Sequence, residues 1–219
     1  KILNSLRRQI FNAVKINEKV YLSISDKNFL NNLPEIKKIS NTLHDNTERL
    51  VTNSNLIIKT LEKSIEILDL STSTKDKKTL DDLLLLKIEV SNFGLGLGRT
   101  QVRLNANQLN NAISKEIDLK GDPDDPSSKR TYLQAISKLI EKVKTVQINF
   151  GSILEENMNA RRYFMVIKQM FKYIDENQSV RFLIAECDYA LTVMTALYFS
   201  KLFGVDDKID ISPLFETEK

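Results

Sequence analysis

Two arginines spaced four residues apart are the first candidates for chemistry. Arg99 and Arg103 would share one face of a helix. Guanidinium groups bind a phosphate or a carboxylate through charge-assisted hydrogen bonds. A solvated surface or an ion pair with a neighbouring helix explains the same spacing, because exposed charge pairs are common and contribute little. The two arginines therefore indicate either an anion site or an ordinary charged surface.

A carboxylate near the C-terminus is the second candidate. Glu216 lies at the end of residues 208–216, a stretch typical of a short strand. In parallel α/β folds, functional groups collect beyond the carboxyl ends of the strands. Carboxylate oxygens are ligands that Mg²⁺ and Mn²⁺ prefer. Position alone leaves metal ligation and a surface carboxylate equally open.

Other reactive side chains are few, since the chain has one histidine, His44, and one cysteine, Cys187. Together they cannot supply the four nitrogen or sulfur ligands of a usual zinc site. Nothing near His44 completes a catalytic relay, which favours a solvated histidine. The apolar run around Cys187 favours a buried, inert thiol. A lone cysteine forms no internal disulfide, so a reducing compartment is expected.

Half of the six glycines fall within residues 93–99. Their spacing differs from the G-x-G-x-x-G pattern of dinucleotide sites, and they follow a helical pattern instead of a strand. Gly94, Gly96 and Gly98 therefore predict close backbone packing or a break that redirects the chain.

Hydrophobic periodicity predicts helices over the first two thirds of the chain. Apolar residues recur at intervals of three or four over 57–68 and 133–153. Near the C-terminus, a strand at 180–187, a helix at 189–204 and a strand at 208–216 predict a parallel crossover unit. We expect a mainly α protein with a few short parallel strands near its C-terminus.

Composition excludes several classes of protein. Only 6 Gly and 4 Pro in 219 residues are too few for the turns of a many-stranded all-β fold. The net charge is +3, without the aromatic-interleaved basic stripe of a nucleic-acid binder. No uncharged apolar stretch reaches about 18 residues, so no membrane partner is expected. The N-terminus lacks an initiator methionine and a signal-peptide pattern, and we expect a piece of a longer protein.

Two stretches resemble a known enzyme family. The tail SKLFGVDDKIDISPLFETEK is similar to the segment of phosphoenolpyruvate carboxylases that ends in PLFET. In that family, a helix ending near a glycine leads into a strand of a large (β/α) barrel. The stretch FGLGLGRTQVRLNANQLNNAI resembles, without gaps, the family's FG-x-x-L-x-x-LD-x-RQ segment.

The resemblance implies roles for two residues. Glu216 matches the PLFET glutamate, which in the family ligates the essential Mg²⁺ or Mn²⁺. Arg103 matches the arginine that points towards the anionic substrates. Gln101 and Leu104 depart from the D-x-RQ pattern around this arginine, and Thr192 replaces a family aspartate. These departures indicate a divergent branch.

For the whole protein, the resemblance implies a cytoplasmic homotetramer that forms oxaloacetate and phosphate from phosphoenolpyruvate and bicarbonate. Residues 1–175 would form its helical region, and residues 176–219 the truncated beginning of the barrel. The chain has no match to the family's catalytic histidine segment, its second metal-ligand aspartate or its mobile loop, so we expect it to be inactive alone. The alternative is a non-catalytic helical interaction or regulatory module, which is all that the periodicity itself requires.

Overall fold

The structure is a computed structural model that describes residues 52–70, 73–95 and 98–216. These residues are mainly helical, with one small sheet of three parallel strands. They divide into two compact units. The first holds the described residues up to Arg99 together with Met170–Gln178, and the second holds Thr100–Gln169 and the described residues from Ser179 onward. The domain boundary between residues 175 and 176 stays a prediction.

Seven helices and three strands make up the described part of the chain. In order they are α1 (Ser54–Asp69), α2 (Thr74–Phe93), β1 (Thr100–Asn105), α3 (Ala106–Ile113), α4 (Lys129–Lys142), α5 (Phe150–Glu155), α6 (Asn159–Tyr173), β2 (Val180–Ala185), α7 (Ala190–Phe203) and β3 (Ile209–Pro213).

The first unit is built on the pairing of α1 with α2. Asn53 caps α1, because its side-chain oxygen accepts a hydrogen bond from the Asn55 N–H at 2.9 Å. The apolar stripe predicted over 57–68 is confirmed, since Ile57 and Leu61 are buried. The core of the pair consists of Ile57, Leu61, Leu83, Val90 and Leu95.

A buried carboxylate fixes the turn that follows α2. Asp175 is 2 % exposed. Its Oδ2 accepts from the Leu95 N–H at 2.7 Å, and its Oδ1 accepts from the Asn177 N–H at 3.0 Å. Burial raises the pKa of the Asp175 carboxyl, although these backbone hydrogen bonds act in the opposite direction. The carboxylate thus satisfies one backbone N–H in the turn after α2 and one in the turn after α6.

The prediction of close backbone packing is confirmed at Gly94 but not at Gly98. Gly94 has φ +65°, and a Cβ placed there would overlap Oδ2 of Asp175. A Cβ at Gly98 meets no atom within 4 Å, and Gly98 lies instead in a bend between α2 and β1, which fits the alternative of a break that redirects the chain. Gly96 lies outside the described residues. Of Gly94 and Gly98, Gly94 is therefore the one that needs the absence of a side chain for both its backbone conformation and its close approach to Asp175.

The second unit contains the whole sheet, in the order β1-β2-β3 with all strands parallel. The predicted strand, helix and strand near the C-terminus are confirmed as β2, α7 and β3. Gly204 ends α7 in the left-handed conformation with φ 62°. The strand β1 was not predicted, because only Val102 and Leu104 signal its two-residue period.

Phenylalanines cover one face of the sheet. Phe182 of β2 stacks on Phe164 of α6 with ring centroids 4.7 Å apart, and Phe199 of α7 lies 5.9 Å from Phe164. All three side chains are fully buried. The opposite face carries exposed polar side chains in adjacent register, namely Gln101, Arg181 and Asp210. One face of the sheet is therefore apolar and helix-covered, and the other is polar and exposed in this row of three residues, although the same face also carries the half-buried Leu183 and the buried Ala185.

The helix predicted across 133–153 is broken into two. α4 ends at Lys142, residues 143–149 form neither helix nor strand, and α5 begins at Phe150. Val143, Thr145, Val146 and Ile148 are β-branched, which lowers helix propensity. This segment bonds instead to the end of α7, where the Val146 N–H donates to the Leu202 carbonyl at 2.8 Å.

Gly94→Ala should lower the free energy of unfolding by about 2 kcal/mol or more, because it combines a left-handed φ with a clash against Asp175. Urea unfolding followed by circular dichroism at 222 nm measures the change. Gly98→Ala is the matched control and should shift stability by less than about 0.5 kcal/mol. Equal stability of the two variants would contradict the role of Gly94.

Asp175 should contribute a pH dependence with a definite sign. Its folded-state pKa is raised by burial, so the stability gained by protonation is present at low pH and is lost as pH rises from about 3.8 through the raised value. Unfolding titrations between pH 4 and 7 should show wild-type stability falling relative to Asp175→Asn. A difference that grows in the opposite direction would show that the hydrogen bonds outweigh burial.

Candidate functional site

The two residues predicted to act on ligands meet at the carboxyl edge of the sheet. Arg103 lies in β1, and Glu216 lies three residues beyond the end of β3. Nη2 of Arg103 donates to Oε1 of Glu216 at 2.9 Å. The residues are 113 positions apart in sequence. Their side chains are 61 % and 42 % exposed, so solvent and small ligands reach the ion pair.

The alternation of β1 sets the direction of Arg103. Val102 and Leu104 face the covered side and are buried, whereas Gln101 and Arg103 are exposed on the other side. Leu104 therefore occupies a core position, which accounts physically for an apolar residue there. Gln101 lies two residues before Arg103 on the same open face.

The helix spacing of Arg99 and Arg103 does not apply. Arg103 belongs to a strand, and Arg99 precedes that strand outside any helix. The hypothesis that the two guanidinium groups share a helix face is therefore wrong. Arg103 lies at the carboxyl edge, and its partner there is the carboxylate of Glu216.

Asn105 and Glu186 form a second polar contact at this edge. Asn105 is the last residue of β1 and caps α3, where its Oδ1 accepts from the Asn107 N–H at 2.9 Å. Gln108 completes a capping box through its bond from the Asn105 N–H at 3.1 Å. The Asn105 Nδ2 is left to donate to Oε2 of Glu186. One amide therefore fixes both a helix start and a carboxylate.

The backbone bulges at Glu186. The Leu214 N–H donates to the Ile184 carbonyl at 2.9 Å, and the Leu214 carbonyl accepts from the Cys187 N–H at 3.1 Å. Ile184 and Cys187, the two partners of Leu214, are one residue further apart in sequence than the two partners of a residue in an even parallel ladder. This extra residue is the mark of a β-bulge. Glu186 takes φ 54°, a conformation that non-glycine side chains rarely adopt. The bulge ends β2 and directs the exposed Glu186 to the same edge.

Sequence reasoning missed Asn105 and Glu186. Each directly ends or follows a parallel strand, and that position is where functional groups collect in such sheets. For Glu186 the position was hidden because the predicted strand ran over 180–187, whereas β2 ends at Ala185 and Glu186 directly follows it. For Asn105 it was hidden, because β1 itself was not predicted.

The other residues singled out in the sequence have structural roles or lie outside the described residues. Cys187 is fully buried, as predicted, and burial raises the pKa of its thiol, whereas the inertness of the thiol stays a prediction. Thr192 is buried in α7, and its Oγ1 donates to Oδ1 of Asn110 at 3.0 Å. His44 lies outside the described residues.

Glu216 fits one ligand of a hard divalent cation. Its second carboxylate oxygen accepts no hydrogen bond from Arg103, and proteins commonly hold Mg²⁺ through one or two carboxylates, waters and substrate phosphates. Over the described residues, no three histidine, cysteine, aspartate or glutamate side chains come together as a metal group.

Comparison of the chain with protein-family models, with curated proteins and with solved structures finds no match. Within the described ranges, no helix is both long enough and apolar enough to cross a membrane.

Asn105→Ala should lower stability by about 1–2 kcal/mol, because it removes the cap of α3 and the donor to Glu186. Thermal unfolding followed by circular dichroism tests this value. Asn107→Ala, an exposed change two residues later in the same turn, should be neutral or slightly stabilising, since alanine favours helix. Equal losses in both variants would contradict the double role of Asn105.

Proposed function

We propose that this chain is part of a phosphoenolpyruvate carboxylase, which forms oxaloacetate and phosphate from phosphoenolpyruvate and bicarbonate. The observation that carries the proposal is the contact between Arg103 and Glu216 at 2.9 Å. The resemblance gives these two residues, and few others in the chain, roles in one active site. Their meeting across 113 residues is what that enzyme requires and what a helical interaction module has no reason to produce.

The arrangement of the sheet supports the beginning of a (β/α) barrel. Its strands are parallel and adjacent in the order in which they occur along the chain, as in a barrel, where each strand pairs with the next. Helices cover one face, while the other carries Gln101, Arg181 and Asp210 together with Leu183 of β2. Arg103 and Glu216 lie at the carboxyl edge, where barrel enzymes place their active sites.

The proposed chemistry divides between the two side chains. The Arg103 guanidinium would bind the phosphate or carboxylate of phosphoenolpyruvate and neutralise phosphate charge as the group is transferred. Glu216 would hold Mg²⁺ or Mn²⁺, and such an ion when bound stabilises negative charge on an enolate oxygen. Asn105 and Glu186 would keep a polar, hydrogen-bonded wall beside them.

The remaining properties of the parent follow from the same proposal. It would be a cytoplasmic homotetramer, with phosphoenolpyruvate and bicarbonate as its substrates. The 219-residue chain would be inactive alone, because it lacks matches to the family's catalytic histidine segment and second metal-ligand aspartate.

The test is phosphoenolpyruvate-dependent fixation of labelled bicarbonate by the full-length parent with Mg²⁺. Activity should fall at least about 100-fold in Glu216→Gln, because the cation loses its protein ligand. Asp210→Asn is the matched control, since it removes an exposed carboxylate from β3, the strand that precedes Glu216, and should stay within about twofold of wild type. A folded parent without activity would overturn the proposal. Carboxylation by the 219-residue chain alone would overturn the statement that this chain lacks parts that the reaction needs.

One observation favours the alternative of an interaction module. Leu84, Leu85 and Ile88 are 40 %, 61 % and 56 % exposed on one face of α2. Exposed apolar clusters of this kind mark association surfaces. If the parent is inactive and Leu85→Lys abolishes self-association in sedimentation equilibrium, the module is the better description.

A further inference from the structure

The Arg103–Glu216 ion pair engages the two groups that the proposed reaction needs for different ligands. Glu216 would have to bind a cation through its negative charge, and Arg103 would have to bind an anion through its positive charge. In the structure each is the other's partner, with Nη2 and Oε1 2.9 Å apart. Either ligand must therefore compete with a side chain of the protein itself.

Resting on the proposed function, we propose that this ion pair is an autoinhibitory contact that couples cation binding to anion binding. A cation that takes Glu216 releases Arg103 for the anion, and an anion that takes Arg103 releases Glu216 for the cation. Both ligands require the same Arg103–Glu216 contact to open, so the free energy needed to break it counts only once when both ligands are bound. Each ligand therefore raises the affinity for the other by the same factor.

The exposure of the pair limits the size of this coupling. Both side chains are more than two-fifths exposed, and ion pairs at such sites are weak because water and salt screen them. Coupling energies of this class correspond to about a twofold to fivefold change in affinity. The coupling should also shrink as salt is added, because added ions screen the pair itself.

The test measures binding, with activity as an independent readout. Mn²⁺ binding to the full-length parent is followed by the electron paramagnetic resonance signal of free Mn²⁺, without any anion. Arg103→Gln should bind Mn²⁺ about twofold to fivefold more tightly than wild type, because Glu216 is released. Arg181→Gln is the matched control, since it removes a positive charge from the same open face without touching Glu216, and it should change the affinity by less than 1.5-fold, roughly the limit set by screening.

The reciprocal arm titrates phosphoenolpyruvate into metal-free protein by calorimetry. Glu216→Gln should bind the anion about twofold to fivefold more tightly than wild type, while Asp210→Asn should match wild type. If Arg103→Gln and Arg181→Gln shift Mn²⁺ affinity equally, the coupling is overturned and only long-range charge remains. If Mn²⁺ binds neither wild type nor Arg103→Gln, both the coupling and the metal role of Glu216 fail. An active parent that needs Glu216, with no effect of Arg103→Gln on Mn²⁺ binding, would overturn the coupling alone.

Discussion

The parallel pairing of β1 with β2 is the constraint on which the candidate site depends. Parallel strands point their carboxyl ends to one edge, so Asn105 at the end of β1 meets Glu186 directly after β2. The pairing of β3 with β2 then brings Glu216 to the same edge. Without that pairing, Arg103 and Glu216 would have no common surface, because nothing local in the sequence joins them.

Part of this arrangement could be predicted from the sequence. β2, α7 and β3 follow from apolar runs closed by Gly204, since the local pattern and the tertiary structure agree there. β1 could not, because its six residues carry only two apolar side chains and follow a stretch of strong helical periodicity. The break after Lys142 was hidden as well, because the apolar residues of 143–149 continue the helical spacing although the backbone leaves the helix.

The residues of the carboxyl edge could be predicted from the sequence only in part. Glu216 and Arg103 could be named from the resemblance, but their contact is tertiary and depends on a strand that the sequence did not reveal. The bulge at Glu186 has no sequence signature, because the residue has an ordinary charged side chain and takes φ 54° only through its neighbours. Asn105 shows how the fold and the edge are joined, since the same amide caps α3 and holds Glu186.

The long connection between the first two strands has a consequence for the newly made chain. β1 ends at Asn105 and β2 begins at Val180, so 74 residues separate strands that are neighbours in the sheet. At a synthesis rate of about 5–20 residues per second, β1 leaves the ribosome roughly 4–15 s before its partner does. During that interval its backbone donors and acceptors have no β-sheet partner in β2, and such edges promote misassembly. The carboxyl edge can therefore be completed only after Glu216 has been made, because Glu216 is the partner of Arg103 in β1.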